Sequence, residues 1–148
     1  MNDDFNTYKT AIKRKSLSTP AKYLKDNALL VGDCLDFGCG QGFDCDALDI
    51  DGYDPHWRPT HPEKKYDTVM CNYVLNCYPA AFTETIVPQI LEFLKEDGIA
   101  YIAVRNDSQN LKGWTKKETY QAMIKLDEAC IVKKTSNFIM YGVGKDYK

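Results

Sequence analysis

Residues 33–55 constrain this chain more than any other stretch. They read Asp-Cys-Leu-Asp-Phe-Gly-Cys-Gly-Gln-Gly-Phe-Asp-Cys-Asp-Ala-Leu-Asp-Ile-Asp-Gly-Tyr-Asp-Pro. A short apolar strand runs into Asp36-Phe37-Gly38-Cys39-Gly40-Gln41-Gly42, a brief helical segment follows, and a second strand ends at the acid Asp54. The glycines let backbone approach a ligand where a Cβ would clash. The helix start offers unpaired N–H groups, and the acid can accept hydrogen bonds from ribose hydroxyls. The layout therefore suits a nucleoside-bearing cofactor.

A dinucleotide fingerprint requires glycine at the first, third and sixth loop positions. Those positions here are Gly38, Gly40 and Phe43, which argues against a nicotinamide-dependent oxidoreductase. The loop is G-x-G-x-G with Asp36 two residues ahead, and Gly52-Tyr53-Asp54-Pro55 closes the next strand. This pair of motifs resembles motif I and the following acidic motif of class I S-adenosylmethionine-dependent methyltransferases. The resemblance implies an α/β, Rossmann-like methyltransferase fold, a mostly parallel sheet with an antiparallel C-terminal strand. It implies S-adenosyl-L-methionine as cofactor, contacted by Asp36, Phe37, Gly38, Cys39, Gly40, Gly42, Asp54, Pro55 and Asn72. Asp36 would face the methionine amino group or brace the loop N–H groups. Asp54 would take the ribose hydroxyls or cap the following turn.

The chain has 148 residues, 44% hydrophobic and 27% charged, enough for one cored domain spanning 1–148. No apolar run approaches the ~18 residues of a membrane span. The opening Met1-Asn2-Asp3-Asp4 is unlike a secretory signal. Six cysteines without a C-x-x-C spacing read as reduced, buried thiols of a cytoplasmic protein rather than disulfide or zinc ligands. Charge is unevenly spread: residues 1–30 carry +3, 33–67 carry −6 and 105–148 carry +4. The basic ends can flank an anionic substrate or simply form solvated faces.

In chain order, residues 1–30 form a lead-in, mobile at first, then basic, then helical from Pro20 under a Ser18 or Thr19 cap. Strand one covers about 33–37, a short helix about 43–48, and strand two ends at Asp54. Residues 56–65 are a proline loop, and Tyr66–Tyr73 is a buried strand. Class I methyltransferases usually place a further helix, strand and helix before that strand. These do not fit, so the sheet is expected to lack the strand-three region, leaving the adenine side of the pocket undefined. A helix is expected over about 80–95, interrupted or begun by Pro88, then a strand over 99–105. Residues 106–114 read as a polar loop. Thr115-Lys-Lys-Glu118 reads as a capping box opening a helix to about 128. Strands over 130–134 and 138–143 close the chain around a turn at Ser136-Asn137.

Methyl transfer from a sulfonium needs chiefly an acceptor held in line, which suits a chain without a hydrolytic triad or paired carboxylates. By the resemblance, Asn72 and Tyr73 occupy the strand-four motif beside the transferable methyl and are the candidate catalytic residues. The amino-directed DNA methyltransferases add two prolines there, which this chain lacks. Asn72 can equally cap the strand end and Tyr73 can equally be packing. Arg105 ends the next strand at the same edge and, with Trp57, is a candidate substrate contact; a surface ion pair and core cover are the alternatives. His56 and His61 are loop histidines that can act as bases or stay solvated. Asp44 and Asp46 suit a helix N-terminus better than a cofactor. Residues 10–20, Gly-Tyr-Asp-Pro55 and Cys71-Asn-Tyr-Val-Leu-Asn76 together also resemble small bacterial and phage methyltransferases, some linked to DNA modification. The leading reading is a methyltransferase acting on an unidentified acceptor, nucleic acid or nucleotide among the candidates. The second is a cofactor-binding module without chemistry of its own that needs a partner subunit.

Overall fold

The computed structural model describes residues 5–107 and 113–148. Ser18 caps α1 (Thr19–Asp26), its hydroxyl accepting from the Ala21 amide, with Pro20 in the first turn where a missing N–H costs nothing. β1 (Cys34–Phe37), α2 (Phe43–Leu48) and β2 (Asp51–Tyr53) follow as the glycine-loop pattern requires. β3 is Tyr66–Asn72, α3 is Thr83–Leu91 and β4 is Leu94–Arg105. β5 (Gly113–Trp114) and β6 (Tyr120–Gln121) form a small separate hairpin. β7 (Ile131–Lys134) and β8 (Phe138–Gly144) complete the chain.

Six strands form one sheet in the order β2-β1-β3-β4-β8-β7. The pairs β2-β1, β1-β3 and β3-β4 are parallel; β4-β8 and β8-β7 are antiparallel. β2 is therefore the sheet edge, where the sequence resemblance leaves a strand out. Its brevity and the adjoining proline-bearing loop leave little edge to pair.

Both sheet faces are covered, and strand alternation decides which residues go where. Leu35, Phe37, Val69, Cys71, Ile102 and Val104 share one core with Ile86, Val87, Ile90 and Leu91 of α3. Met70, Tyr101, Ala103, Phe138 and Met140 share the other with Ala21 and Leu24 of α1.

Three elements depart from the sequence expectation. The helix expected over 80–95 is a 3₁₀ turn at Ala80–Phe82 followed by the shorter α3. Pro88 lies inside α3, on its exposed side. The chain then enters the sheet early, because Phe93 and Leu94 are buried and the Phe93 carbonyl accepts from the Tyr66 amide at 2.7 Å. The expected helix from Thr115 is absent. Thr115 Oγ1 accepts from the Lys117 and Thr119 amides, and Glu118 adopts a left-handed φ of 61°, so the segment is a turn. Ala122 and Ile124 bury alternate positions beyond it, a period of two that overrides the helix-start signature. Of the polar loop expected over 106–114, residues 108–112 lie outside the described residues.

Leu24 is fully buried between α1 and the sheet. Leu24→Ala is expected to cost about 2–5 kcal/mol in urea unfolding, whereas a loss under about 0.5 kcal/mol, typical of surface positions, would show that α1 does not dock there.

Candidate functional site

β2 lies on one side of β1 and β3 on the other, so the strand order reverses at the β1/β3 gap. In open α/β sheets ligands bind beyond the strand carboxyl ends at such a point. Two adjoining hollows, of about 130 and 220 Å³, open there and share Thr7, Thr10, Gly38, Asp54, Tyr73 and Cys77.

The glycine loop is tied down by one carboxylate. Asp54 Oδ2 accepts from the Gly40 amide at 3.0 Å, and Oδ1 accepts from the amides of His56 (2.9 Å) and Trp57 (3.0 Å). Asp54 thus caps the turn after β2 while lining both hollows, and its oxygens retain lone pairs for further donors.

Asp36 lies just inside β1, 4% exposed. Among the described residues no donor reaches its carboxylate, so it does not brace the loop N–H groups. Burial, then the nearby Cys45, Asp44 and Asp54, push it well above the ordinary carboxylate range, and Arg14 opposes them. Asp44 accepts from the Ser18 amide (3.0 Å) and hydroxyl (2.6 Å), joining the start of α1 to α2. Asp46 instead chelates Arg58, whose Nη2 also reaches the Gln41 carbonyl.

At the end of β3, both Asn72 amide atoms are shielded from solvent and have no hydrogen-bond partner. Tyr73 follows with a left-handed φ of 61°, a costly conformation outside glycine. It turns the chain away from the sheet, and its hydroxyl lies 3.2 Å from the Thr19 hydroxyl. Asn76, 1% exposed, donates to Gln121 Oε1 at 3.0 Å, while its own Oδ1 has no partner. Gln121 Oε1 also accepts from Arg105 Nη1, and Arg105 is paired with Asp107.

Gly38, Cys39, Gly40, Gly42, Asp54, Pro55, Asn72, Tyr73 and Arg105 all line the cleft. Phe37 does not: its ring is in the core against Tyr53 and Phe93. Trp57 is exposed beside the cleft, donating from its indole to the Tyr8 carbonyl. His56 reaches the cleft and stacks on Tyr8 at 4.6 Å, whereas His61 packs against Tyr53 and Phe93.

Sequence reading missed the segment 5–14, which crosses the cleft. Thr7, Thr10, Ala11, Ile12 and Arg14 line it, and Gln41 donates to the Ala11 carbonyl. Phe5 packs against Tyr78, Phe82, Trp114 and Tyr120, and Lys9 pairs with Glu118. Asn76, Cys77, Gln121 and Arg58 were also missed; only the place of Asn76 at the end of the stretch Cys71–Asn76 offered a signal.

This is an open α/β domain with a glycine-loop cleft at its topological switch point. A sequence profile described as a methyltransferase domain matches residues 8–129, and the chain belongs to that family, within the class I S-adenosylmethionine-dependent methyltransferases. No curated protein matches the sequence. Among solved structures, the Burkholderia thailandensis 1,6-didemethyltoxoflavin-N1-methyltransferase, with bound 1,6-didemethyltoxoflavin and S-adenosylhomocysteine, has a TM-score of 0.60 at 14% identity, over 94% of this chain and 78% of that one. A DhpI-SAM-HEP complex gives 0.56 at 12% identity, over 83% of each chain. The magnesium protoporphyrin IX methyltransferase of Synechocystis PCC 6803, with bound S-adenosylhomocysteine, gives 0.53 at 14% identity, over 93% and 92%. These likenesses bear on the fold. No helix among the described residues is long and apolar enough to cross a membrane.

Gly40 has φ +58°, and a Cβ there would stand 3.0 Å from Ala11 Cβ in the crossing segment. Gly40→Ala is expected to lose about 1–2 kcal/mol in urea unfolding from the left-handed backbone alone; unchanged stability would mean the loop relaxes freely.

Proposed function

We propose that this chain binds S-adenosylmethionine in the β1/β3 cleft and transfers its methyl group to a small polar acceptor held by Asn72, Asn76 and their neighbours. The observation that carries the reading is a set of unmet polar demands at one edge: the buried Asp36, which no donor among the described residues reaches, the unpartnered amide of Asn72 and the unpartnered Oδ1 of Asn76. Buried polar groups are normally satisfied, so these fit a ligand that supplies partners.

In this reading Asp54 offers its remaining lone pairs to the ribose hydroxyls, and the backbone at Gly38 and Gly40, bare of a Cβ, lets the cofactor approach closely. Asp36 meets the methionine ammonium and Arg14 its carboxylate. When bound, the cofactor supplies an electrophilic methyl on a sulfonium. The protein's part is to position: Asn72 and Tyr73 border the acceptor, and Asn76 Oδ1 takes a hydrogen bond from an acceptor N–H or O–H. Pre-set geometry of this kind supplies much of the rate gain without a strong base.

A small acceptor is favoured over a nucleic acid by the way cations at the cleft are used. Of the two arginines lining the cleft, Arg105 is paired with Asp107 and Arg14 is given in this reading to the cofactor carboxylate, while the 7–14 segment lines the opening. A polyanion track needs cations free for phosphates. The purified chain, without a partner subunit, is offered cofactor carrying a labelled methyl together with fractionated RNA, DNA and small-metabolite pools. Label is expected in the small-metabolite fraction. Label in nucleic acid would overturn the acceptor reading, and tight cofactor binding with no transfer anywhere would favour the module reading.

Asp36 also gives a pH signature. Free, it keeps its proton above the ordinary carboxylate range because of burial; a cation beside it favours the ionised form. Cofactor binding should therefore release a proton, and affinity should rise as pH climbs from the usual aspartate range to the raised value, then level off. Calorimetry with S-adenosylhomocysteine in two buffers of different ionisation heat checks this: apparent enthalpies should differ inside that window, and equal enthalpies at every pH would remove Asp36 from the ammonium site.

A further inference from the structure

Two thiols behind the glycine loop have no part in the methyl-transfer reading. Cys39 belongs to the loop, is partly exposed and lines the cleft; Cys45 lies in the first turn of α2 and is fully buried. Their sulfurs converge on one bare Cα. A Cβ on Gly52 would stand 2.5 Å from Cys45 Sγ and 3.1 Å from Cys39 Sγ, so glycine in β2 leaves the room both thiols occupy. The Cys39 thiol donates to the Gly40 carbonyl at 3.6 Å and the Cys45 thiol to the Gly42 carbonyl at 3.3 Å. Arg58 Nη1 approaches Cys45 Sγ at 3.7 Å, its guanidinium fixed by Asp46 and the Gln41 carbonyl. Cys34, Cys71 and Cys77 are all pushed upward by burial.

We propose that Cys39 and Cys45 form a site of reversible thiol oxidation, closing to a disulfide with a hydroperoxide as oxidant and reopening with a thiol reductant. The supporting electrostatics are direct. The neighbouring Cys39 thiol and the Arg58 charge, working against burial, bring Cys45 down to about 7. The Asp46 carboxylate opposes this, and Asp36 also faces the pair. Cys39 itself is pushed up, by the neighbouring Cys45 and then by burial, so the Cys45 thiolate serves as the base that accepts the Cys39 proton as the Cys39 sulfur attacks.

Cys39 sulfur then attacks a peroxide oxygen: an S–O bond forms, the O–O bond breaks, and the departing hydroxide takes the Cys45 proton as water. The Cys45 thiolate next attacks the Cys39 sulfenic sulfur: the S–S bond forms, the S–O bond breaks, and hydroxide leaves, becoming water with a solvent proton. Two thiols lose two electrons and hydrogen peroxide becomes two waters. The resulting ring encloses Gly40, Gln41 and Gly42, the loop that the functional reading assigns to the cofactor, so oxidation is expected to weaken cofactor binding.

The test treats reduced protein with hydrogen peroxide, blocks free thiols by alkylation and maps peptides by mass. A Cys39–Cys45 disulfide, reversed by dithiothreitol and absent in Cys39→Ser and Cys45→Ser, is expected. In Cys45→Ser, which lacks the resolving thiol, Cys39 should proceed to sulfinic acid. Two alkylated thiols after peroxide, or disulfides made elsewhere, would overturn the proposal. S-adenosylhomocysteine affinity, measured by calorimetry before and after oxidation, should fall about fivefold or more; equal affinity would sever the disulfide from the cofactor loop. This last readout rests on the cofactor reading. If reduced protein does not bind the ligand, that reading fails while peptide mapping still decides the disulfide.

Discussion

The cleft depends on the Asp54 carboxylate. Three backbone amides from two loops converge on it, and a hydrogen bond to a charged group contributes about 1.5–3 kcal/mol. The carboxylate joins the loop after β1 to the loop after β2 where they meet, beside the Gly38 and Cys39 amides that donate to the Tyr53 carbonyl. Arg58 extends the arrangement. Its backbone pairs with that of Asp54 in both directions, and its guanidinium crosses to α2 and the Gln41 carbonyl. The glycine loop is therefore held by charge on two sides and leaves its open face to the cleft.

The sheet supplies the frame on which this is built. Buried residues on both faces fix the register of β1 and β3, because a slip by one residue would send Leu35 and Val69 to the opposite face. That register brings Gly38 and Tyr73 to the same carboxyl edge, where both line the cleft. The cost is local: an aspartate buried in β1 and a left-handed tyrosine after β3. Both lie at the cleft, which is where strain and unmet polar groups concentrate when a site is built for a ligand.

Much of this was legible in the sequence because it is local. The strand, glycine loop, acid and following buried strand are contiguous patterns, and β7 and β8 follow from apolar runs around a polar turn. The capping-box signature at Thr115 misled because Thr115 and Glu118 serve a turn as readily as a helix start. The choice fell to the buried alternation after it and to Lys9, which draws Glu118 away from the role a capping box would give it. The start of β4 was misplaced since Phe93 and Leu94 fit a helical stripe as well as a strand entry. Nothing local announces that residues 5–14 cross the cleft. Their contacts are with residues more than a hundred positions away, such as Asn6 with the Glu118 carbonyl.

That separation bears on the order in which the molecule is made. Residues 5–14 leave the ribosome roughly a hundred residues ahead of the hairpin that receives Phe5, Asn6 and Lys9. Closing so long a loop carries an entropic cost that must be met before its contacts reward it. The sheet strands β1 to β3 can pair while the segment waits, so the cleft acquires its floor before its cover.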